Sequence, residues 1–191
     1  LNTLFHATAN TTAALELEKR FSWSQPKTVL WASIIPDVPL LVLTLWYFIF
    51  EGMNFGPRYD DLFYENAVWV VSHNLFHAPF TVLALGLAGA LLAGRSARGL
   101  GRRRRMVGRF LLSCSFATGL HSIVDIFTHH DDGPLLLFPF EWSLRFSSPI
   151  SYWDPEYYGR ILGPIDLGLT LLLGAYLVFR AVKSKRKSSR A

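Results

Sequence analysis

Four apolar runs, each about 20 residues or longer, leave this chain very few folds. A hydrocarbon core about 30 Å thick needs roughly 20 apolar residues as helix. Residues 28–50, 67–93, 106–127 and 161–182 each satisfy that length. Inside a bilayer every backbone N–H and C=O must be paired within the segment, which leaves the α-helix as the fitting element for isolated runs of this kind. The expected fold is therefore all-α: a polytopic membrane protein with four transmembrane helices forming one domain over residues 1–182. With 51% hydrophobic residues and a mean hydropathy of +0.26, the chain is too apolar for an ordinary soluble domain.

The segment before these runs, residues 6–21, is mixed in polarity. It is expected as a short amphipathic or re-entrant helix, at the interface or tucked into the bundle. Residues 1–27 contain no continuous apolar stretch, so no cleavable signal peptide is expected there. The single Cys114 lies in an apolar run and reads as a core residue.

Charge orders the connectors. Arg95, Arg98 and Arg102–Arg105 follow the second run, Arg180 lies near the end of the fourth and five basic residues follow it, and Lys19, Arg20 and Lys27 precede the first. The connectors 51–66 and 128–160 are acidic on balance. Lys and Arg in short loops favour the cytoplasmic side, so both termini are expected in the cytoplasm. The net charge of +5 is thereby explained by topology. Nucleic acid is not an expected partner; membrane lipids are. The basic tail, 183–191, reads as disordered. The 128–160 connector is rich in Trp, Tyr and Phe but broken by Gly133, Pro134, Pro139, Pro149 and Pro155. It should fold as an aromatic cap on the outer leaflet, able to cover a cavity or to meet a membrane-protein partner.

Ionisable groups at membrane depth are costly and usually pair, line a cavity or bind something. His73 and His77 are four residues apart on the second run, and His121, Asp125 and His129 repeat that spacing on the third. Positions four apart share a helix face. Asp37 is the lone acid of the first run, flanked by Pro36 and Pro39, which should break the helix there. At ~1.5 Å per residue these groups fall between mid-membrane and the outer leaflet. Imidazole and carboxylate together suit Zn, with Mn or Fe as further options. His77, His121 and Asp125 are the expected ligands, with Asp37 and His73 completing or orienting the shell. Asp37 or Asp125 is the expected general base.

The order of these elements resembles the YdjM-like bacterial inner-membrane proteins, named as membrane-bound metal-dependent hydrolases. The resemblance rests on Ile35-Pro36-Asp37, on His73 and His77, on His121, Asp125 and Thr128, and above all on the stretch Gly133 to Trp142 running to Pro149-Ile150. It adds His6 as the family's early histidine and so as a further metal-site residue. It implies a bacterial inner membrane and hydrolysis of an ester or phosphoester in an amphiphilic or lipid substrate. The chain departs from the pattern where Pro39 replaces a second acid, where the helix histidines are four apart instead of five, and where Asn74-Leu75 replaces Arg-Gly. The alternative reading is a non-catalytic subunit of a larger membrane complex, with histidines ligating a structural metal or a pigment. Carboxylates converging with the histidines on one point would favour the hydrolase; histidines facing outward would favour the subunit.

Overall fold

The computed structural model describes residues 1–53, 55–94 and 101–188, so Arg95 and Arg98 lie outside the described residues. The described chain is helical: α1 (Thr3–Leu17), α2 (Pro26–Ala32), a 3-10 turn (Ile35–Asp37), α3 (Val38–Phe50), α4 (Pro57–Glu65), α5 (Ala67–Asn74), α6 (Pro79–Ala93), α7 (Arg102–Thr128) and α8 (Gly159–Ser188), with a second 3-10 turn at Pro155–Tyr157 ahead of α8. Three stretches are long and apolar enough to cross a membrane: Pro26–Phe50, Arg102–Thr128 and Gly159–Arg186. The α5–α6 pair, bent by 44°, makes a fourth where it is counted as one span. The protein is a multi-pass membrane protein. Leu41, Leu45 and Ile49 of α3, Leu83, Leu87 and Leu91 of α6, and Leu171, Leu172 and Phe179 of α8 are exposed. A water-soluble chain of this size rarely carries so much contiguous exposed apolar surface.

The Pro26–Phe50 stretch and the α5–α6 pair are each broken, and proline accounts for both. Pro36 has no N–H to offer the preceding turn. α2 therefore ends at Ala32, and the Asp37 N–H bonds the Ile34 carbonyl at 3.2 Å instead of reaching back four residues to Ser33. Pro79 similarly cannot continue α5; it opens α6 at its first turn, where a missing N–H costs nothing. Each break leaves carbonyls free, and the site uses them.

α1 is tucked into the bundle. Asn2 caps it by accepting from the Phe5 N–H at 2.9 Å. Its buried face carries His6, Ala7, Asn10, Thr11 and Ala14. The Asn10 amide donates to Ser33 Oγ at 3.0 Å and to the Ala117 carbonyl at 3.1 Å, tying α1 to α2 and α7. Ala14, Val29, Ala32 and Ala117 form the small-residue core where those three helices meet, with Cys114 packed against it.

α6 and α7 pack antiparallel at close range, Gly108 against Ala93, Gly89 against Leu112 and Gly86 against Ser115. A Cβ on Gly108 would lie 2.5 Å from the Ala93 nitrogen. Small residues of this kind are how membrane helices approach without a hydrophobic driving force.

The 129–158 segment folds as a cap. Leu135 is fully buried with Val70, Ala78 and Phe138. Its N–H donates to Asn74 Oδ1 at 2.6 Å, and the Asn74 amide donates in turn to the Val70 carbonyl. The cap is thus pinned to the end of α5. The C-terminal end corrects one expectation: the basic stretch from Lys183 continues α8 to Ser188 instead of dissolving into a tail. Residues 189–191 lie outside the described residues.

Candidate metal centre

The two breaks and the C-terminal end of α7 meet at one point. Asp37, His77, His121 and Asp125 each turn one ligand atom inward, and those four atoms all lie within 4.8 Å of one another. His77 Nε2 is 3.3 Å from His121 Nε2. Asp37 Oδ1 lies 3.4 Å from His77 Nε2 and 3.3 Å from His121 Nε2. Asp125 Oδ2 lies 3.0 Å from His121 Nε2 and 3.6 Å from His77 Nε2.

The outer nitrogens of the two histidines explain the inward ones. His77 Nδ1 is 2.6 Å from the His73 carbonyl, in the last turn of α5. His121 Nδ1 is 2.8 Å from the Ser33 carbonyl at the end of α2. A carbonyl oxygen only accepts, so both Nδ1 atoms carry the proton. In the neutral imidazole each Nε2 then presents a lone pair. Two such lone pairs face each other beside two carboxylates, a donor set that suits a cation. An Nδ1–H held by a backbone carbonyl is also the usual outer partner of a metal-binding histidine.

Two side chains of α1 hold the carboxylates. Thr3 Oγ1 donates to Asp37 Oδ2 at 2.6 Å. His6 Nε2 lies 3.0 Å from Asp125 Oδ1, and its ring stacks on His121 with centroids 3.7 Å apart. His6 thus stands behind the cluster, against the far oxygen of Asp125. His73 is not among the four converging groups either. Its ring packs beside His77, centroids 5.0 Å apart.

Burial sets the direction of access. The side chains of His77, His121 and Asp125 are 1%, 0% and 7% exposed, whereas Asp37 is 27% exposed. Asp37 faces a cavity of about 530 Å³ that lies between α3, α4 and the cap. Leu40, Leu41 and Thr44 form one wall; Tyr59, Phe63 and Tyr64 of α4 form the other. Asp132, Tyr152 and Trp153 close it from the cap side. α7 ends at Thr128, so His129 is the first residue beyond the helix; it still reaches Asp125 Oδ1 at 3.6 Å and, with Nδ1, Asp132 Oδ1 at 3.0 Å. Burial alone would lower its pKa, but the two carboxylates outweigh that and push it up to about 9. His130 serves the cap itself: it stacks on Tyr157 and its Nδ1 donates to the Ser148 carbonyl at 2.6 Å.

Sequence reasoning missed Thr3, the Ser33 carbonyl, the α4 aromatics and Asp166. Asp166 is buried in α8, where it takes the Asn2 amide and so ties the start of α1 in place. The rule that singles out Asp37, a lone acid in an apolar run, applies equally to Asp166 and could have found it. Thr3 carries no local signal, because the carboxylate it serves is 34 residues away in sequence.

No protein-family profile, curated protein sequence or solved structure matches this chain.

Proposed function

We propose that the protein is a membrane-embedded metal-dependent hydrolase acting on an ester or phosphoester of an amphiphilic substrate, a relative of the YdjM-like inner-membrane proteins. One observation carries the reading: two imidazoles, each fixed by a backbone carbonyl with its Nε2 inward, share a point with the buried carboxylate of Asp125 and the half-buried one of Asp37. This donor set fits a first-row divalent ion, Zn first and Mn or Fe next. His77, His121 and Asp125 would hold the ion, and Asp37 would complete the set from the cavity side. An ion bound there supplies a Lewis acid and makes water a nucleophile near neutral pH.

The chain's own groups do the rest. Asp37 is the carboxylate open to the cavity, with one oxygen kept by Thr3, which suits it to take a proton from an arriving water. His6 keeps Asp125 oriented. The α3 and α4 walls exclude bulk water from the reacting atoms, and the cap residues Tyr152 and Trp153 cover them. The alternative is an accessory subunit ligating a pigment or a structural metal: a pigment would want histidines facing outward to separate ligands, whereas these converge, and a structural metal at the same four groups would bind without turnover in the assay below. The basic start of α7 and the basic end of α8 support a cytoplasmic position for those two ends, while Leu1 lies at the cap end of α7, its amino group 3.1 Å from Asp125 Oδ1; a bacterial inner membrane is what the resemblance to the YdjM-like proteins implies.

The test is elemental analysis of purified wild type beside His121→Ala and Asp125→Ala, paired with hydrolysis of a chromogenic long-chain ester and phosphodiester before and after chelation. Bound metal lost in both variants, and turnover abolished by chelator and restored by Zn, is the expected result. Equal metal content in all three proteins would refute the site.

A further inference from the structure

The cavity beside the cluster contains a feature the metal centre does not use. His73 lines it, is only 7% exposed, and its buried Nδ1 has no hydrogen-bond partner among the described residues. Leaving a buried polar group unpaired is costly. Most such groups in native proteins are paired, and an exception asks for an explanation such as an absent ligand. His73 sits one helical turn before His77, so a molecule reaching it lies directly against the four converging groups.

The walls leading to it are mainly apolar. Leu40 and Leu41 line one side and Phe55 and Phe63 the other, with the Thr44 and Tyr59 hydroxyls joined at 3.1 Å between α3 and α4 and Asp60 also on the lining. Leu41 is 55% exposed and continues the outward row of Leu45 and Ile49 on α3. Phe55 is 70% exposed on the opposite side. Exposed apolar side chains therefore stand on both sides of the α3–α4 edge of the cavity. A hydrocarbon chain entering from the bilayer exchanges one apolar surrounding for another, so the chain itself adds little binding energy. Selection must come from how much chain fits and from the polar groups at the inner end. At about 530 Å³ the space lies within the roughly 300–1,000 Å³ of small-ligand pockets. One chain with its head group suits it; the two chains and glycerol head of a phospholipid are larger.

We propose that this cavity takes an amphiphile with a single hydrocarbon chain, a lysophospholipid-type molecule, entering laterally, and that His73 is a positioning residue hydrogen-bonded to its head. The assignment of that molecule as substrate rests on the hydrolase reading; its binding does not. The chain lies along Leu40 and Leu41, and the head reaches His73 and Asp37. His73 then fixes the head against the metal centre without being a ligand of it.

The experiment uses the metal-loaded full chain in amphipol, with lysophosphatidylcholine and phosphatidylcholine of the same acyl length as probes. Native mass spectrometry counts bound probe, and elemental analysis is run on the same samples. Wild type should bind one lysophosphatidylcholine and bind phosphatidylcholine at least tenfold more weakly. His73→Ala should weaken the lysolipid at least tenfold with metal content unchanged, and His73→Gln, which keeps a polar group at similar reach, should recover part of that loss. Leu40→Trp, which fills the wall, should abolish binding while retaining metal. Equal binding of both lipids, binding that survives Leu40→Trp, or loss of metal in His73→Ala would each overturn the proposal. A lysolipid that binds as described but is never cleaved, with metal or without, would refute the hydrolase reading alone.

Discussion

Thr3→Ala should weaken metal binding without touching any of the four converging side chains. Thr3 Oγ1 donates to Asp37 Oδ2 at 2.6 Å, the short distance expected when the acceptor is a carboxylate. That bond holds Asp37 in the rotamer that aims Oδ1 at His77 and His121. A hydrogen bond to a charged group is worth about 1.5–3 kcal/mol. Loss of such an outer-shell partner typically lowers metal affinity 10–100-fold, which is about 1.4–2.7 kcal/mol, so the two figures agree. Thr3 is the first residue of α1 and Asn2 supplies the cap, so the helix should survive the change. Thr3→Ser keeps the hydroxyl and should bind as wild type does. Thr8→Ala, on the same helix, removes only local bonds to the Leu4 and Phe5 carbonyls and should leave affinity unaltered. Competition against a chromophoric chelator measures the dissociation constants. Thr3→Ala within twofold of wild type, while Asp37→Ala binds poorly, would show that the hydroxyl does not hold Asp37 in the metal-bound protein.

Three further outcomes are expected. Metal binding should weaken as pH falls: His77 and His121 bind metal only when Nε2 is free of a proton, so each contributes up to about a tenfold loss per pH unit where protons compete with the metal, and an affinity flat between pH 7 and 5 would contradict their role. Gly108→Leu should force α6 from α7, since even a Cβ there meets the Ala93 nitrogen and the Leu92 carbonyl carbon at 2.5 and 2.8 Å; overpacking of this kind costs about 1–3 kcal/mol, visible as a lowered unfolding temperature in detergent, whereas the open Gly168 position should accept Ala without loss. For topology, in a Cys114→Ala background, Ser143→Cys in the cap should label with an impermeant thiol reagent in intact cells and Ser184→Cys only after lysis; the reverse pattern would invert the proposed orientation.

The spans and the ligand faces were readable because each depends on local spacing. Apolar length predicts the helices, and four-residue spacing places His121 over Asp125 and His73 over His77. Pro36 and Pro79 mark the breaks by what they lack, an N–H. What spacing does not carry is which member of a pair points inward. His73 and His77 share a face, yet the break after Asn74 lets the His77 ring fold back onto the His73 carbonyl and turn its Nε2 to the centre, leaving the His73 ring in the cavity. His129 was expected to continue the α7 stripe; the helix stops at Thr128 and the residue meets Asp125 from the cap instead. The partners Thr3 and Ser33 arrive through the packing of α1 and α2, which no short-range pattern reports. The α4 aromatics looked like connector residues until their helix was seen to wall the cavity.

Main-chain oxygens, rather than side chains, steer the two imidazoles, and this makes the steering hard to lose by exchange of one amino acid for another. Replacing Ser33 alters a hydroxyl and replacing His73 alters a ring, but the oxygen that each lends remains wherever the chain still kinks. The vulnerable positions are then the prolines: a helix mended at Pro36 would reclaim the oxygen at Ser33 for its own ladder and set His121 adrift.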